Sequence, residues 1–174
     1  ISGALNEHSI AWKVAERAKE EGAEFTLTNA PIALRMGELK ALGEKTESPI
    51  IPADATKLED LEKLVDKSQE ALGGKIDFLL HSIGMSPNVR KGRDYNNLNY
   101  DWYLKTLDIS ALSFHKMMQT LDQKDALNEG ASILGLSYIA AQRVIPHYSD
   151  MTEAKAVLES IARSYGQRLG KSKK

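Results

Sequence analysis

Residues 137–155 read Ser137-Tyr138-Ile139-Ala140-Ala141-Gln142-Arg143-Val144-Ile145-Pro146-His147-Tyr148-Ser149-Asp150-Met151-Thr152-Glu153-Ala154-Lys155. They follow a short apolar run, Ala131 to Leu136, that reads as a buried strand. They lead into a helical pattern with Val157, Leu158 and Ile161 at its apolar positions. Tyr138 stands near the carboxyl end of that strand, where open α/β sheets bind ligands. Tyr148 and Lys155 are separated by about two helical turns of roughly 3.6 residues, which predicts that their side chains share one face. An ammonium close to a phenol favours phenolate and lowers a pKa that is ordinarily about 10. A tyrosine also donates well to an oxygen that gains charge in a transition state. Any tyrosine and lysine taken in isolation are more often a packing residue and a solvated one, so the rest of the chain has to decide.

Working outward, the same alternation recurs. Ser9 is a reasonable N-cap for a helix in which Ile10, Val14 and Ala18 repeat at helical spacing and Gly22 marks the end. Phe25 to Thr28 reads as a short strand, Ile32 to about Glu44 as a helix, and Ile50-Ile51 as a strand ending near Asp54. Thr56-Lys57-Leu58-Glu59 has the form of a capping box, with Leu58, Leu61, Leu64, Val65 and Leu72 as the buried stripe. Ile76 to His81 has almost no polar alternation, as expected of a parallel strand covered on both faces. A polar loop over 86–99 precedes a long helix from Tyr100 to Leu121, with Leu104, Leu107, Ala111, Phe114 and Met118 on one side. Alternating strands and helices mean a Rossmann-like, doubly wound parallel sheet built from right-handed crossovers, in one domain over 1–174. The first helix follows a glycine loop but no strand. In a doubly wound fold that strand is central, so the chain is expected to lack it and also the strands at the carboxyl end. Backbone groups left unpaired by its absence cost roughly 1–3 kcal/mol each, which makes a weak enzyme the expectation for the chain alone.

Composition sets limits. The 174 residues are 42% hydrophobic and 27% charged, with net charge -1 and no cysteine. No broad basic surface invites nucleic acid, and disulfides and thiolate metal sites are excluded. No apolar run approaches the ~20 residues that span a bilayer. His8, His81, His115 and His147 have no metal-ligand spacing.

The candidate sites are individually two-sided. Gly3-x5-Ser9-Ile10-Ala11 offers free N–H groups and a helix dipole to a pyrophosphate, or is a plain loop and helix start. Asp54 could accept from an adenine amino group, or merely begin the turn before Thr56. His81-Ser82-Ile83-Gly84 could line a flat ring with backbone, or turn at its glycine. Arg90, Lys91 and Arg93 form a small basic loop that could meet an acidic carrier or stay solvated.

Taken together and in order, these pieces are specific. With Asp108-Ile109-Ser110, Ser113-Phe114 and Tyr138-x9-Tyr148-x2-Met151-x3-Lys155, the chain resembles the enoyl-acyl-carrier-protein reductases, a divergent branch of the short-chain dehydrogenase/reductase superfamily, over nearly its whole length. The Tyr-x6-Lys spacing discriminates most: the superfamily's usual Tyr-x3-Lys is absent, since Tyr148 plus four is Thr152. His147 stands where the family usually has Asn.

The resemblance implies reduction of the 2,3 double bond of an enoyl thioester on acyl carrier protein in fatty acid biosynthesis. It implies NADH as cofactor, with NADPH left open because no acidic residue stands near Thr28-Asn29-Ala30. Tyr148 would donate to the thioester oxygen, Lys155 would hold the nicotinamide ribose, and Tyr138 would line the acyl side near the β-carbon. Gly3, Ser9 and Ile10 would sit at the pyrophosphate, Asp54 and Ala55 at the adenine, Ile83 near the nicotinamide ribose, and Ser86 and Met151 at the substrate. A cytoplasmic homotetramer packed through the Tyr100 and Met151 helices, with no nucleic-acid or membrane partner and no metal, completes that expectation. The alternatives are an inactive fragment or nucleotide-binding remnant of the same fold, and another superfamily member acting on a carbonyl.

Overall fold

In the computed structural model, which describes residues 1–36 and 38–172, Ser2 forms parallel bridges to Thr28 on one side and His81 on the other. Leu27 is bridged in parallel to Ile50. Strand β1 (Ile76–His81) pairs in parallel with β2 (Leu127–Gly135). The parallel order is therefore the 50 segment, the 27–28 segment, the chain start, β1 and β2. The Rossmann-like expectation holds in topology. The strands expected at Phe25–Thr28 and Ile50–Ile51 shrink to isolated bridges.

The vacancy expected at the centre is filled in part by the first residues. Ser2 N donates to Leu80 O at 2.9 Å, Gly3 N to Thr28 O at 3.1 Å, Thr28 N to Ile1 O at 3.0 Å and Ser82 N to Ser2 O at 3.2 Å. A cavity of about 210 Å³ lies beside them, walled by Phe25 and Thr26 on one side and by Ile76 to Leu79 on the other.

Strand side chains alternate between faces, and neighbouring residues of β1 accordingly serve different cores. Phe78 and Leu80 pack with Ala11, Trp12 and Ala15 of α1 (Ile10–Glu20) and Leu39 and Leu42 of α3 (Leu39–Thr46). Leu79 packs with Leu61, Leu64 and Val65 of α4 (Leu58–Leu72) and Phe114, Met117 and Met118 of α7 (Ser113–Gln123). Leu158 and Ile161 of α8 (Met151–Ser172) join that second core. The segment expected as one helix from Ile32 is two, α2 (Pro31–Met36) and α3. The polar loop contains a short helix, α5 (Pro87–Arg90), and a 3₁₀ turn.

Several sequence patterns are displaced. The buried residues of α1 are Ala11, Trp12 and Ala15, while Ile10 is 62% exposed. The capping box does not form: Lys57 is the N-cap without a side-chain bond, and Thr56 Oγ1 donates instead to Asp54 Oδ1 at 2.7 Å. The long helix is α6 (Tyr100–Leu107), a π turn over Asp108–Leu112, and α7. The wider turn changes the angular phase of the stripe, and Leu104 is exposed rather than buried. No helix among the described residues is long and apolar enough to cross a membrane.

Candidate active site

Beyond the end of β2 the chain runs through Tyr138 and a 3₁₀ turn, Ile139–Ala141, to Tyr148, and enters α8 at Met151. Tyr148 precedes the helix, so the shared helical face expected for Tyr148 and Lys155 does not exist. The turn brings the aromatic pair together instead: the rings of Tyr138 and Tyr148 lie 4.8 Å apart, centroid to centroid, tilted by 53°. Lys155, in the second turn of α8, is buried and donates from Nζ to Leu136 O at 2.7 Å. It is thus tied to the strand end two residues before Tyr138.

The electrostatics differ from the expectation. Burial, followed by the neighbouring Tyr138, pushes the Tyr148 phenol above its usual value. Burial lowers the Lys155 ammonium. Desolvation disfavours the charged form of each group, and for the phenol the causes of the shift are burial and Tyr138, both upward, in place of the anticipated lowering by the ammonium. The consequence is chemical: a phenol with a raised pKa stays protonated at neutral pH and remains a donor.

His147 and Ser149, on either side of Tyr148, have φ of 63° and 48°. Histidine and asparagine are among the few side chains that tolerate the left-handed region, which accounts physically for histidine at position 147. Such conformations cost on the order of 1–3 kcal/mol each and cluster at functional sites.

Gly3 lies at φ +91°, and a Cβ there would stand 1.9 Å from Ser82 O. Only glycine allows that approach. Ser9 stands at the N-cap of α1, as expected, but its side chain makes no cap bond. Its Oγ donates to Asn6 O at 2.6 Å and accepts from Leu5 N at 3.2 Å, closing the loop. Ile10 begins the helix beside this loop, and no side chain caps α1, where Trp12 N donates to Ser9 O at 3.1 Å.

Asp54, Ala55 and Ile83 line one cavity of about 100 Å³ together with Thr28, Asn29 and Ala30. Asp54 Oδ1 accepts from both Thr56 N at 3.0 Å and Thr56 Oγ1. Burial works to raise the Asp54 carboxyl, but the Thr56 bonds and the charges of Lys57 and Lys116 outweigh it and hold the pKa down. Gly84 faces α8, with its implied Cβ 3.5 Å from Lys155 Nζ and 3.8 Å from Met151 Cε. Ser86 is buried, and its hydroxyl is spent on protein: it donates to Asp150 Oδ1 at 2.6 Å and accepts from Val89 N at 3.0 Å.

The structure therefore brings together Tyr138 and Tyr148; Lys155, Met151 and Gly84; and Asp54, Ala55 and Ile83. Residues to which the sequence assigned no site role hold these groups in place. Ser110, in the π turn, accepts from Met85 N at 2.9 Å and donates to Met85 O at 3.1 Å, clamping the loop after β1. Ser113 Oγ donates to Ile109 O at 2.6 Å, so His81 Nε2, 2.9 Å away, must be the donor to that oxygen. Asp150, with no exposed surface, accepts from several segments. The only sequence signal for it was an aspartate just before a helix pattern, and that also describes an ordinary cap.

A family model described as "Enoyl-(Acyl carrier protein) reductase" matches residues 3–173. Enoyl-acyl-carrier-protein reductase (NADH) 1 of Rhizobium meliloti is 35% identical over 170 residues, covering 98% of this chain and 61% of that protein. The NADH-dependent FabI of Haemophilus influenzae is 34% identical, covering 98% and 64%. Among solved structures, a FabI–NADH complex from Alistipes finegoldii is 62% identical with a TM-score of 0.98, covering 99% of this chain and 61% of that one. The NADH-named enoyl reductase of Aquifex aeolicus is 28% identical with a TM-score of 0.88. The chain spans 61–64% of the length of these two curated relatives. With the match running over nearly every residue and the fold coinciding, this chain belongs to the enoyl-(acyl carrier protein) reductase family.

Proposed function

We propose that this chain carries the reaction centre of an NADH-dependent enoyl-acyl-carrier-protein reductase of fatty acid biosynthesis. The observation that carries the reading is the contact of Tyr138 with Tyr148 beyond β2, with Lys155 bound to Leu136 O at the same strand end. The residues fit a dinucleotide. Gly3 permits a backbone approach that a Cβ would block, α1 begins without a side-chain cap, and Asp54, Ala55 and Ile83 share a cavity. Gly3, Ser9 and Ile10 would hold the pyrophosphate, Asp54 and Ala55 the adenine end, and Ile83 and Lys155 the nicotinamide ribose. When bound, NADH supplies hydride to the β-carbon of the thioester.

Charge then collects on the thioester oxygen, and Tyr148, protonated at neutral pH, donates to it. A donor fixed in advance where charge develops lowers the barrier without reorganising. Tyr138 covers the phenol and lines the acyl side. Met151 packs against the substrate, and Ser86 acts there through its backbone, since its hydroxyl is engaged elsewhere. Arg90 and Lys91, both exposed, suit an acidic carrier protein. Exposed Tyr100 and Leu104 on α6 support assembly as a homotetramer through α6 and α8, in the cytoplasm. The test is crotonyl-thioester-dependent NADH oxidation by the chain and by Tyr148→Phe. Loss of the reaction in the variant, with NADH still bound, supports the reading.

A further inference from the structure

Asp150 lies two residues after Tyr148 and has no exposed surface. Its carboxylate gathers donors from two other parts of the chain. Oδ1 accepts from Ser86 Oγ at 2.6 Å, and Oδ2 accepts from Asn88 Nδ2 at 2.8 Å. Thr106 Oγ1 stands 2.8 Å from Oδ2 and also 2.8 Å from Trp102 O, so one hydroxyl proton is shared between the two acceptors. Asn88 extends the link: its Nδ2 donates to Asn99 O at 3.1 Å, and its Oδ1 accepts from Asn99 N at 3.0 Å. The loop after β1, the start of α6 and the entry to α8 thus meet at one buried carboxylate.

Apart from the packing of the Tyr148 ring on Tyr138 and on the second core, the turn that carries Tyr148 is held by local bonds. Its flanking residues are in left-handed conformations. Its own backbone bonds are local, from Tyr148 N to Ile145 O at 3.2 Å and from Met151 N to Tyr148 O at 3.2 Å. A turn bonded only to itself can shift as a unit. We propose that Asp150 is the positioning residue for Tyr148, locking that turn to the loop at the end of β1. This rests on the reading of Tyr148 as the donor to the substrate oxygen. The carboxylate is required because it only accepts. An amide of the same shape would turn a second NH₂ toward Asn88 Nδ2 or the Ser86 hydroxyl, and Ser86 cannot rotate freely while it accepts from Val89 N.

Asp150→Asn tests this, with Thr106→Val as the milder variant that decides if the first does not fold. Tyrosine labelled with carbon-13 at Cζ gives a signal for each ring, and Tyr148→Phe identifies the one of interest. In folded Asp150→Asn we expect the Tyr148 resonance to move or broaden while that of Tyr165 stays put. NADH affinity should hold within about twofold, and kcat should fall by about ten- to a hundredfold, the scale of a small misplacement of a reacting group. An unmoved Tyr148 resonance with an unchanged kcat in the folded variant overturns the proposal. Where the parent shows no turnover, the functional reading fails, and the resonance alone still decides whether Asp150 positions the ring.

Discussion

The rings of Tyr138 and Tyr148 touch at 4.8 Å although ten residues separate them in sequence, and each covers part of the other from water. Burial and Tyr138 together hold the Tyr148 pKa above its ordinary value. Tyr138→Ala is therefore expected to return Tyr148 toward about 10. The phenolate absorbance titration, with Tyr148→Phe subtracted, reads this directly. A Tyr148 midpoint that does not fall would show that the ring contact does not govern the phenol.

Acid should weaken the fold through His81. This histidine is buried at the end of β1, and desolvation, followed by the Lys155 charge, lowers its pKa to about 3. Its Nδ1 is buried with no partner among the described residues. A histidine whose folded pKa is depressed below about 6.5 leaves the unfolded chain binding more protons, so stability is fully present above pH 6.5 and is lost as pH falls toward 3. The full loss is on the order of 5 kcal/mol. His81→Phe should flatten the decline in Tm between pH 7 and pH 4, because Ser113 keeps its bond to Ile109 O. An equally steep decline in the variant would place the acid sensitivity elsewhere.

Gly3→Ala should abolish both cofactor binding and much of the stability. The added methyl meets Ser82 O, a backbone atom, at 1.9 Å and must also adopt φ +91°. Relief would require the chain start to leave its place between Thr28 and His81. The expected result is a Tm lowered by ten degrees or more, as for a loss of roughly 3–5 kcal/mol, with no NADH fluorescence change on titration. Near-parental values of both would refute the close approach.

The left-handed turn around Tyr148 predicts a graded series at His147. Asn or Gly should be tolerated, whereas the β-branched His147→Val should cost about 1–2 kcal/mol, read as a lower urea midpoint at unchanged slope. Equal midpoints for Val and Asn would mean that this conformation carries no cost.

The order of elements was legible because short apolar runs, Ile76 to His81 and Ala131 to Leu136, mark the two strands and the helices between them carry clear periodicity. Tyr138, Tyr148, Lys155 and Gly3 were legible as residue types at fixed spacings. What was not legible depended on contacts distant in sequence. The Thr56 hydroxyl donates back to Asp54, and α4 starts one residue later than the box requires, with Lys57 at its N-cap. The π turn at Asp108–Leu112 rotated Leu104 to the surface, an effect that a regular 3.6-residue period does not contain. The convergence of Ser86, Asn88 and Thr106 on Asp150 spans 44 to 64 residues, and no local pattern records it. The direction of the Tyr148 shift likewise needed burial, which spacing does not report.

The most direct test of the central claim is the rate of NADH oxidation driven by a crotonyl thioester, measured for this chain and for Tyr148→Phe beside an NADH titration of each. The account predicts turnover by the parent and a fall of about a hundredfold or more in the variant, with NADH affinity the same within about twofold. Equal rates from the two proteins would contradict it.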